Sequence, residues 1–559
     1  MSATYPIDGE LAGEQPLNRP RGERRLRELL DCYEGPDVCL AGALCDEHPA
    51  GDIALRIVDG DLSTCEVTYG ELRERSERFA AALADLGIGP GDRVATLMGK
   101  SLDLVTTVLG IWRRGAVHVP LFTAFAPPAI DLRLKSSTAK VIVVDPGQRE
   151  KLDAIGGDCR TVTAGDQACA GDLSIVELLD AHPAGIPAET VAGDDPFVMI
   201  FTSGTTGTPK GVPAPVRAIA GLRLYLEYGL GVTEDDVYWT AADPGWAYGL
   251  YCAIVAPFAA GLTTTLLTAA FDPALTWRVL DRLEVTNFAA APTAYRALRA
   301  ASADRPGGLA LRCLSSAGEP LDPDTLDWAR EALGAEIRDH YGQTELGMVV
   351  ANGWHPHIRR PLKTGSMGTQ MPGWTVEVLR EDREERAPSG ELGRVAINIP
   401  NSPAMWFSGY HEAPEKTSER ITADGRWYLT GDTARRDNDG YFFFSSRDDD
   451  VIIMGGYRIG PFEVESVLGD HPDVAEAAVV GVPDELRGEV IEAFVALRPG
   501  ADASDALVVE LQQHVKTRFA AHAYPRTVHF VDALPRTPSG KVQRFVLRDR
   551  RRAELAANR

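Results

Sequence analysis

Residues 201 to 212 read FTSGTTGTPKGV, with three glycines, five hydroxyl side chains and one lysine in twelve positions. They follow the apolar run Pro196-Phe197-Val198-Met199-Ile200. A glycine-rich turn behind a strand lets consecutive backbone N–H groups converge on an anion, while Ser and Thr add donors and a lysine adds charge. Phosphate suits such a set. The spacing excludes the Walker pattern, because Pro209 stands before Lys210 where that pattern requires glycine. A kinase glycine loop fails as well. On chemistry alone the loop points to a nucleotide phosphate, with a hydroxyl-rich surface turn as the competing reading.

Other stretches carry chemistry of their own. LSSAGEPLDP, Leu314 to Pro323, and DHYGQTELG, Asp339 to Gly347, each end an apolar stretch, as ligand loops do at the carboxyl edge of a parallel sheet. Tyr428 to Ser466 holds an isolated Asp432 and an Arg447 followed by three aspartates, and PRTPSGKVQR sets Lys541 on a Pro and Gly turn. Singly, Glu345 reads as a helix-start acid, Asp432 as a turn former and Lys541 as an exposed lysine. Their common order along one chain is what raises the phosphate reading.

The elements that must position these residues alternate. Thr68-Tyr69-Gly70-Glu71 has capping-box spacing, and Leu72, Ser76, Phe79, Leu83 and Leu86 step by four and three up to Gly87, which predicts a helix. A strand pattern at Arg93 to Met98, a helical run from Leu102 to Trp112, and strands at Ala116 to Pro120 and Val141 to Asp145 follow. Such alternation means parallel sheet with helices on its faces. The rhythm resumes at Phe197 and runs to about Tyr341. A β-rich unit is expected over about 365–430. The tail is expected to be a separate α+β domain, with a helix from Pro461 to Leu468, strands at Val474 to Val482 and Glu489 to Leu497, a helix from Leu507 to Ala520 and a strand around Val528.

Composition narrows the function classes. At 559 residues more than one domain is expected, and 44% hydrophobic with 25% charged residues is ordinary for a folded globular chain. A net charge of -23 argues against a nucleic-acid partner, so an anionic small molecule needs a local pocket of donors. The eight cysteines, among them Cys32, Cys159, Cys252 and Cys313, form no C-x-x-C pair, which suits a reducing cytoplasm. The first thirty residues lack a signal-peptide core and read as a polar arm entering a helix. Ala247 to Phe271 carries no charge and meets the length of a membrane span. Pro257, Gly261 and Thr263-Thr264-Thr265 interrupt it, so a buried helix, a glycine turn and a buried strand are expected instead.

Taken together, the motifs resemble those of the acyl-adenylate-forming enzymes, the superfamily of acyl- and aryl-CoA synthetases, peptide-synthetase adenylation domains and luciferases. The resemblance runs from Thr68 to Lys541. ADPGWAYGL, SSAGEPLDP, YGQTE, TGSMG and GGYRIGPFEVES are most similar to the acetyl-CoA and medium-chain acyl-CoA synthetase branch. It implies an α/β large N-terminal domain, residues 1–447, of two parallel αβ sheets plus a small β-barrel, and a smaller mobile α+β C-terminal lid, residues 448–559. The implied reaction is attack of a carboxylate on ATP, then transfer of the acyl group from AMP to the thiol of coenzyme A. A carrier-protein thiol is the alternative acceptor.

Site residues follow from the same resemblance. Thr202, Ser203, Gly204, Thr205, Thr206, Gly207, Thr208, Pro209 and Lys210 would clamp the β- and γ-phosphates. Gly318, Glu319 and Pro320 would line the adenine, Asp339 would accept from its amine, and Tyr341 would stack on it, with His340, Gly342 and Gln343 completing the nucleotide-binding run. Thr344 would touch the α-phosphate and Glu345 would hold Mg²⁺, a hard ion suited to a carboxylate. Asp432 and Arg447 would take the ribose hydroxyls. Lys541 would bridge carboxylate and α-phosphate. Asp449 would be the hinge, and Gly456, Arg458 and Arg487 would meet coenzyme A. Acetate-using relatives place tryptophan before Gln-Thr-Glu. Gly342 stands there instead, which implies room for a medium-chain or aromatic acid, with Trp246 as another wall of the acyl pocket.

Overall fold

Thr68 caps the helix Tyr69–Asp85 as its spacing with Glu71 requires. The Thr68 hydroxyl accepts from the Glu71 N–H, and the Thr68 N–H donates to the Glu71 carboxylate at 2.8 Å. Leu72, Phe79 and Leu83 then fall on one face and are fully buried. The computed structural model describes residues 19–156, 159–165, 168–169, 171–202, 209–454, 457–484, 488–520, 523–536 and 541–557.

Three sheets build the N-terminal part. In the seven-stranded sheet, Leu173–Ser174, Arg160–Thr163, Val141–Val144, Arg93–Leu97, Val117–Pro120 and Pro196–Thr202 run parallel, and Lys210–Pro215 returns antiparallel at the edge. The nine-stranded sheet has a parallel centre from Ile337–Gln343 through Cys313–Ala317, Asn287–Ala290, Tyr238–Thr240 and Thr264–Leu267 to Ile53–Val58, with antiparallel strands at both edges. Residues of both sheets and of the helices between them share one apolar core. The uncharged stretch behaves as expected. It is helical over Ala247–Leu250, Tyr251–Val255 and Ala256–Ala260, turns at Gly261 in the left-handed region (φ 71°), and returns as the buried strand Thr264–Leu267. Among the described residues no helix is long and apolar enough to cross a membrane.

The β-rich unit is an antiparallel sheet of Val376–Leu379, Gly393–Asn398, Trp427–Arg436 and Phe442–Arg447. It therefore reaches beyond 430, because Phe442–Arg447 folds back on Trp427–Arg436. The short turn Asp448–Asp450 leads to a tail with its own five-stranded sheet and its own apolar core around Val464, Leu468, Ile491 and Leu511. Its helix Asp505–Arg518 begins two residues before the expected Leu507. A further helix, Arg544–Ala557, follows Lys541.

Candidate active site

The hairpin of Pro196–Thr202 and Lys210–Pro215 pairs Thr202 with Lys210, so these two residues face each other across the mouth of the loop. Ser203, Gly204, Thr205, Thr206, Gly207 and Thr208 lie outside the described residues. Pro209 is half-buried. Lys210 Nζ sits 4.8 Å from the centroid of the Tyr410 ring, and the Tyr410 hydroxyl donates to Glu345 Oε1 at 2.8 Å. Burial, then the charges of Arg420 and Lys416, lower the Lys210 pKa, while Glu419 and Glu345 oppose them. The His411 N–H donates to the Gly211 carbonyl, which ties the Tyr410 segment to the returning strand. Tyr410, Lys416 and Arg420 carry no motif and were not expected.

Cys313–Ala317 and Ile337–Gln343 are parallel neighbours, and their carboxyl ends deliver the two ligand stretches side by side. Gly318 adopts φ 99°, and no atom lies within 4 Å of where a Cβ would stand, so the chain can turn there and leave space open. Pro320 is half-buried beside it. Glu319 is held by Thr293 Oγ1 at 2.9 Å and Arg296 Nη2 at 2.8 Å, two partners from the helix Pro292–Ala300 that no motif announced. Asp339 Oδ1 is buried with no hydrogen-bond partner among the described residues, and burial pushes that carboxyl well above the usual range. An acceptor left so is costly unless a donor arrives, and an exocyclic amine is such a donor.

Asp432 anchors the other side. Its Oδ2 accepts from the Tyr341 hydroxyl and from Gln343 Nε2, both at 2.6 Å, and the ladder sets it opposite Arg447. Burial raises its pKa, and Arg447 and the two donors oppose the rise. Thr344 and Glu345 occupy the turn after Gln343. With Glu345 Oε1 taken by Tyr410, Oε2 has no protein partner among the described residues, and one open carboxylate oxygen suits a hard divalent cation.

The His340 side chain does not share the face of Ile337–Gln343 that carries Asp339 and Tyr341. Strand alternation turns it to the opposite face, where Nδ1 meets the Tyr225 hydroxyl at 2.7 Å and burial drops its pKa to about 3. Nor does Gly342 simply open a pocket. A Cβ there would lie 2.0 Å from the Gly347 carbonyl oxygen, so the close approach of the next strand demands glycine. Trp246 packs on Phe122 and Phe125, at 5.2 and 5.6 Å between ring centroids, within the core of the seven-stranded sheet. The Tyr248 hydroxyl lies 3.2 Å from that of Tyr225, which in turn meets His340 of the Ile337–Gln343 strand.

The tail brings Lys541 to this cleft. Its side chain keeps solvent access, yet the surrounding protein lowers its pKa; Glu319, Asp432 and Glu345 oppose that effect and Arg447 adds to it. Arg435 pairs with Glu463, and Phe444 packs on Phe462 at 6.2 Å, joining the four-stranded sheet to the helix Pro461–Gly469. Asp449 lies in the turn Asp448–Asp450 and Arg458 in the strand Tyr457–Ile459. Gly456 and Arg487 fall outside the described residues.

Comparison with known proteins gives this geometry a family. Residues 44–411 match the family described as AMP-binding enzyme, and residues 463–541 match the AMP-binding enzyme C-terminal domain. The acetyl-coenzyme A synthetase of Bacillus subtilis (strain 168) is 37% identical over 490 residues, covering 86% of this chain and 84% of its own. A crystal structure of a Brucella canis acyl-CoA synthetase is 42% identical, with a TM-score of 0.74 over 97% of this chain and 99% of that one. The anthranilate CoA ligase AuaEII in complex with anthranoyl-AMP superposes with a TM-score of 0.83 at 29% identity, over 94% and 99% of the two chains. Matched in both of its parts and along nearly its whole length, the chain belongs to the AMP-binding enzyme family.

Proposed function

We propose that this protein activates a carboxylic acid larger than acetate and passes it to coenzyme A. It is an AMP-forming acid–CoA ligase. In the first half-reaction the substrate carboxylate attacks the α-phosphorus of ATP and pyrophosphate leaves. In the second the thiol of coenzyme A attacks the acyl carbon, AMP departs with the bonding electrons, and the thiol proton is released. The relatives above are CoA ligases, which favours coenzyme A over a carrier-protein thiol.

The observation that carries this reading is the convergence of Lys541 from the tail with Glu345, Glu319 and Asp432 on one cleft. A cation facing developing charge on phosphate and carboxylate oxygens stabilises the transition state of the first step. In our assignment Thr202 through Lys210 clasp the terminal phosphates, and Gly318, Glu319, Pro320 and Tyr341 flank the adenine. Asp339 accepts from its amine, Asp432 and Arg447 hold the ribose, and Thr344 meets the α-phosphate. Glu345 would hold Mg²⁺, which would supply charge to the phosphate oxygens. The boundary at residue 447 and the pivot at Asp449 belong to the same proposal, since Arg447 ends one sheet and Ile452 begins the next. Gly456, Arg458 and Arg487 are assigned to coenzyme A. All eight cysteines are free, which fits a cytoplasmic enzyme.

For the acid, the anthranilate named for AuaEII favours a ring, while the Bacillus subtilis relative is named for acetyl-coenzyme A. Pyrophosphate release over acetate, butyrate, octanoate, benzoate and phenylacetate decides it. A kcat/KM for octanoate or an aromatic acid at least about tenfold above that for acetate, ~1.4 kcal/mol, is expected. Acetate as the best substrate overturns the size claim and leaves the reaction class intact.

A further inference from the structure

Arg420 belongs to none of the recognised motifs, yet the fold delivers its guanidinium to the phosphate side of the cleft. Its Nη1 donates to the Thr430 carbonyl at 3.0 Å and reaches that of Leu429 at 3.5 Å. Gly431 makes the approach possible. A Cβ at that position would lie 2.3 Å from Nη1, and the residue adopts φ 75°, where a side chain is strained in any case. Beside Arg420 stands the Tyr410 hydroxyl, the same group that donates to Glu345, and the Tyr410 ring carries Lys210 on its face.

The charges around it are unbalanced. Of Lys210, Lys416 and Arg420, only Lys416 has a carboxylate within ion-pair range among the described residues, Glu419 at 2.6 Å. Three cations face two carboxylates, Glu345 and Glu419, and in a chain of net charge -23 that local excess marks a place for an anion. The guanidinium fork is suited to it. Nη1 spends itself on the two carbonyls, which fixes the plane, and neither Nε nor Nη2 donates to a protein carboxylate or carbonyl among the described residues. The Tyr410 hydroxyl meets the guanidinium as well, and the planar fork turns its remaining N–H edge outward, a geometry that binds phosphate oxygens in pairs.

We propose that Arg420 is a ligand for the β- and γ-phosphates of ATP, and hence for the pyrophosphate that leaves, with Thr430, Leu429 and Gly431 holding it in place. The assignment rests on the cleft being an ATP site. Its place within that site comes from the line Lys210, Tyr410, Glu345, which lies on the side of the phosphate hairpin, whereas Asp432, two residues beyond Thr430, holds the ribose side. Arg420 would touch what departs in the first half-reaction, and it would leave the second untouched.

The test is direct binding by calorimetry of ATP, AMP and inorganic pyrophosphate to the full-length protein and to Arg420→Gln and Arg420→Lys, each confirmed folded by its thermal melt. Affinity for ATP and for pyrophosphate should fall at least about tenfold in Arg420→Gln, ~1.4 kcal/mol, with AMP unchanged and Arg420→Lys intermediate. Thioester formation from supplied acyl-AMP should keep its rate. If ATP and AMP weaken together, Arg420 merely braces the Thr430–Asp432 turn and the proposal fails. If none of the three changes, Arg420 does not reach the phosphates. If the parent protein itself binds AMP but neither ATP nor pyrophosphate, the ATP reading of the cleft falls, and this inference falls with it.

Discussion

The two ends of the cleft are built on opposite plans. At the ribose end Asp432 is buried, receives the Tyr341 hydroxyl and the Gln343 amide, and is stationed by a strand ladder opposite Arg447. At the phosphate end the groups are a loop of hydroxyls and glycines, a lysine lying over a ring, and an arginine fixed by main-chain carbonyls. One end is a finished hydrogen-bond network; at the other, among the described residues, Lys210 and Arg420 have no carboxylate within ion-pair range. The division suits the proposed assignment. AMP would stay through both half-reactions, its sugar met by groups already oriented, and pyrophosphate would leave after the first, released by donors that hold it by charge.

The largest effect expected is on the cation that serves the first step alone. Lys541→Ala should lower acyl-AMP formation by about 2.7–4 kcal/mol, on the order of 10²- to 10³-fold, and spare thioester formation from acyl-AMP supplied ready-made. Both half-reactions are timed separately, one by pyrophosphate release and one by thioester. Equal losses would put Lys541 in a structural role and blur the division between the two ends. Asp432→Asn is the counterpart at the ribose end. Losing charge from an acceptor of two hydrogen bonds costs roughly 1.5–3 kcal/mol, so ATP and AMP should weaken alike, by about ten- to a hundredfold. If ATP weakened alone, Asp432 would belong to the phosphate end.

Much of this cleft was legible in the sequence, and what was not shares a cause. The stretches around Thr202 and Gly318 sit at strand ends, and Asp339 and Asp432 lie inside strands, where chemistry and backbone geometry jointly restrict residue type. Tyr410, Lys416 and Arg420 lie on a connecting segment with no such restriction. They arrive only because the His411 N–H meets the Gly211 carbonyl and the strand Trp427–Arg436 returns beneath them. Thr293 and Arg296 escaped for the same reason, as they steady Glu319 from a separate helix. The direction of the His340 ring, toward Tyr225, was not legible from the motif alone, since neighbours in a strand face opposite sides. The helix Arg544–Ala557 was hidden by its run of charges, which separates Phe545-Val546-Leu547 from Leu555; Leu547 and Leu555 pack against the tail sheet, while Phe545 and Val546 stay exposed.

Gly342 tests how tightly the ribose end is assembled. Its missing side chain lets Ile337–Gln343 and Gly347–Ala351 meet, so Gly342→Ala should lose about 1–3 kcal/mol to overpacking, read as a lowered thermal midpoint. An unchanged melt would show that the strand pair yields easily, and the space at Gly342 would again be open to the acid. Asp449→Pro tests the joint between the domains. Proline fixes φ and should slow the second half-reaction at least about tenfold, ~1.4 kcal/mol, while acyl-AMP still forms. Normal rates in both would move the pivot to Asp448 or Asp450.

The smallest effect concerns pH, and it separates the buried end from the charged one. His340 sits on the inner face of the Ile337–Gln343 strand, and burial, above all, holds its pKa at about 3, below the ordinary value of 6.5. As pH falls below 6.5 the unfolded chain takes up a proton at this ring that the folded protein refuses, so stability must fall with pH, and the loss continues down to about pH 3. Between pH 7.5 and 6 the contribution of one such histidine is about 1 kcal/mol. His340→Gln removes the titration, and it also disturbs the bond to the Tyr225 hydroxyl at every pH. The second effect shifts the whole stability curve, and only the first changes its slope. The measurement is therefore the slope of unfolding free energy against pH over that interval, in denaturant, for parent and variant. A slope that flattens by about that amount keeps His340 neutral and inside the sheet. A slope that stays the same would mean the ring is charged or exposed, and with it would go the claim that this strand shows the nucleotide only its alternate side chains.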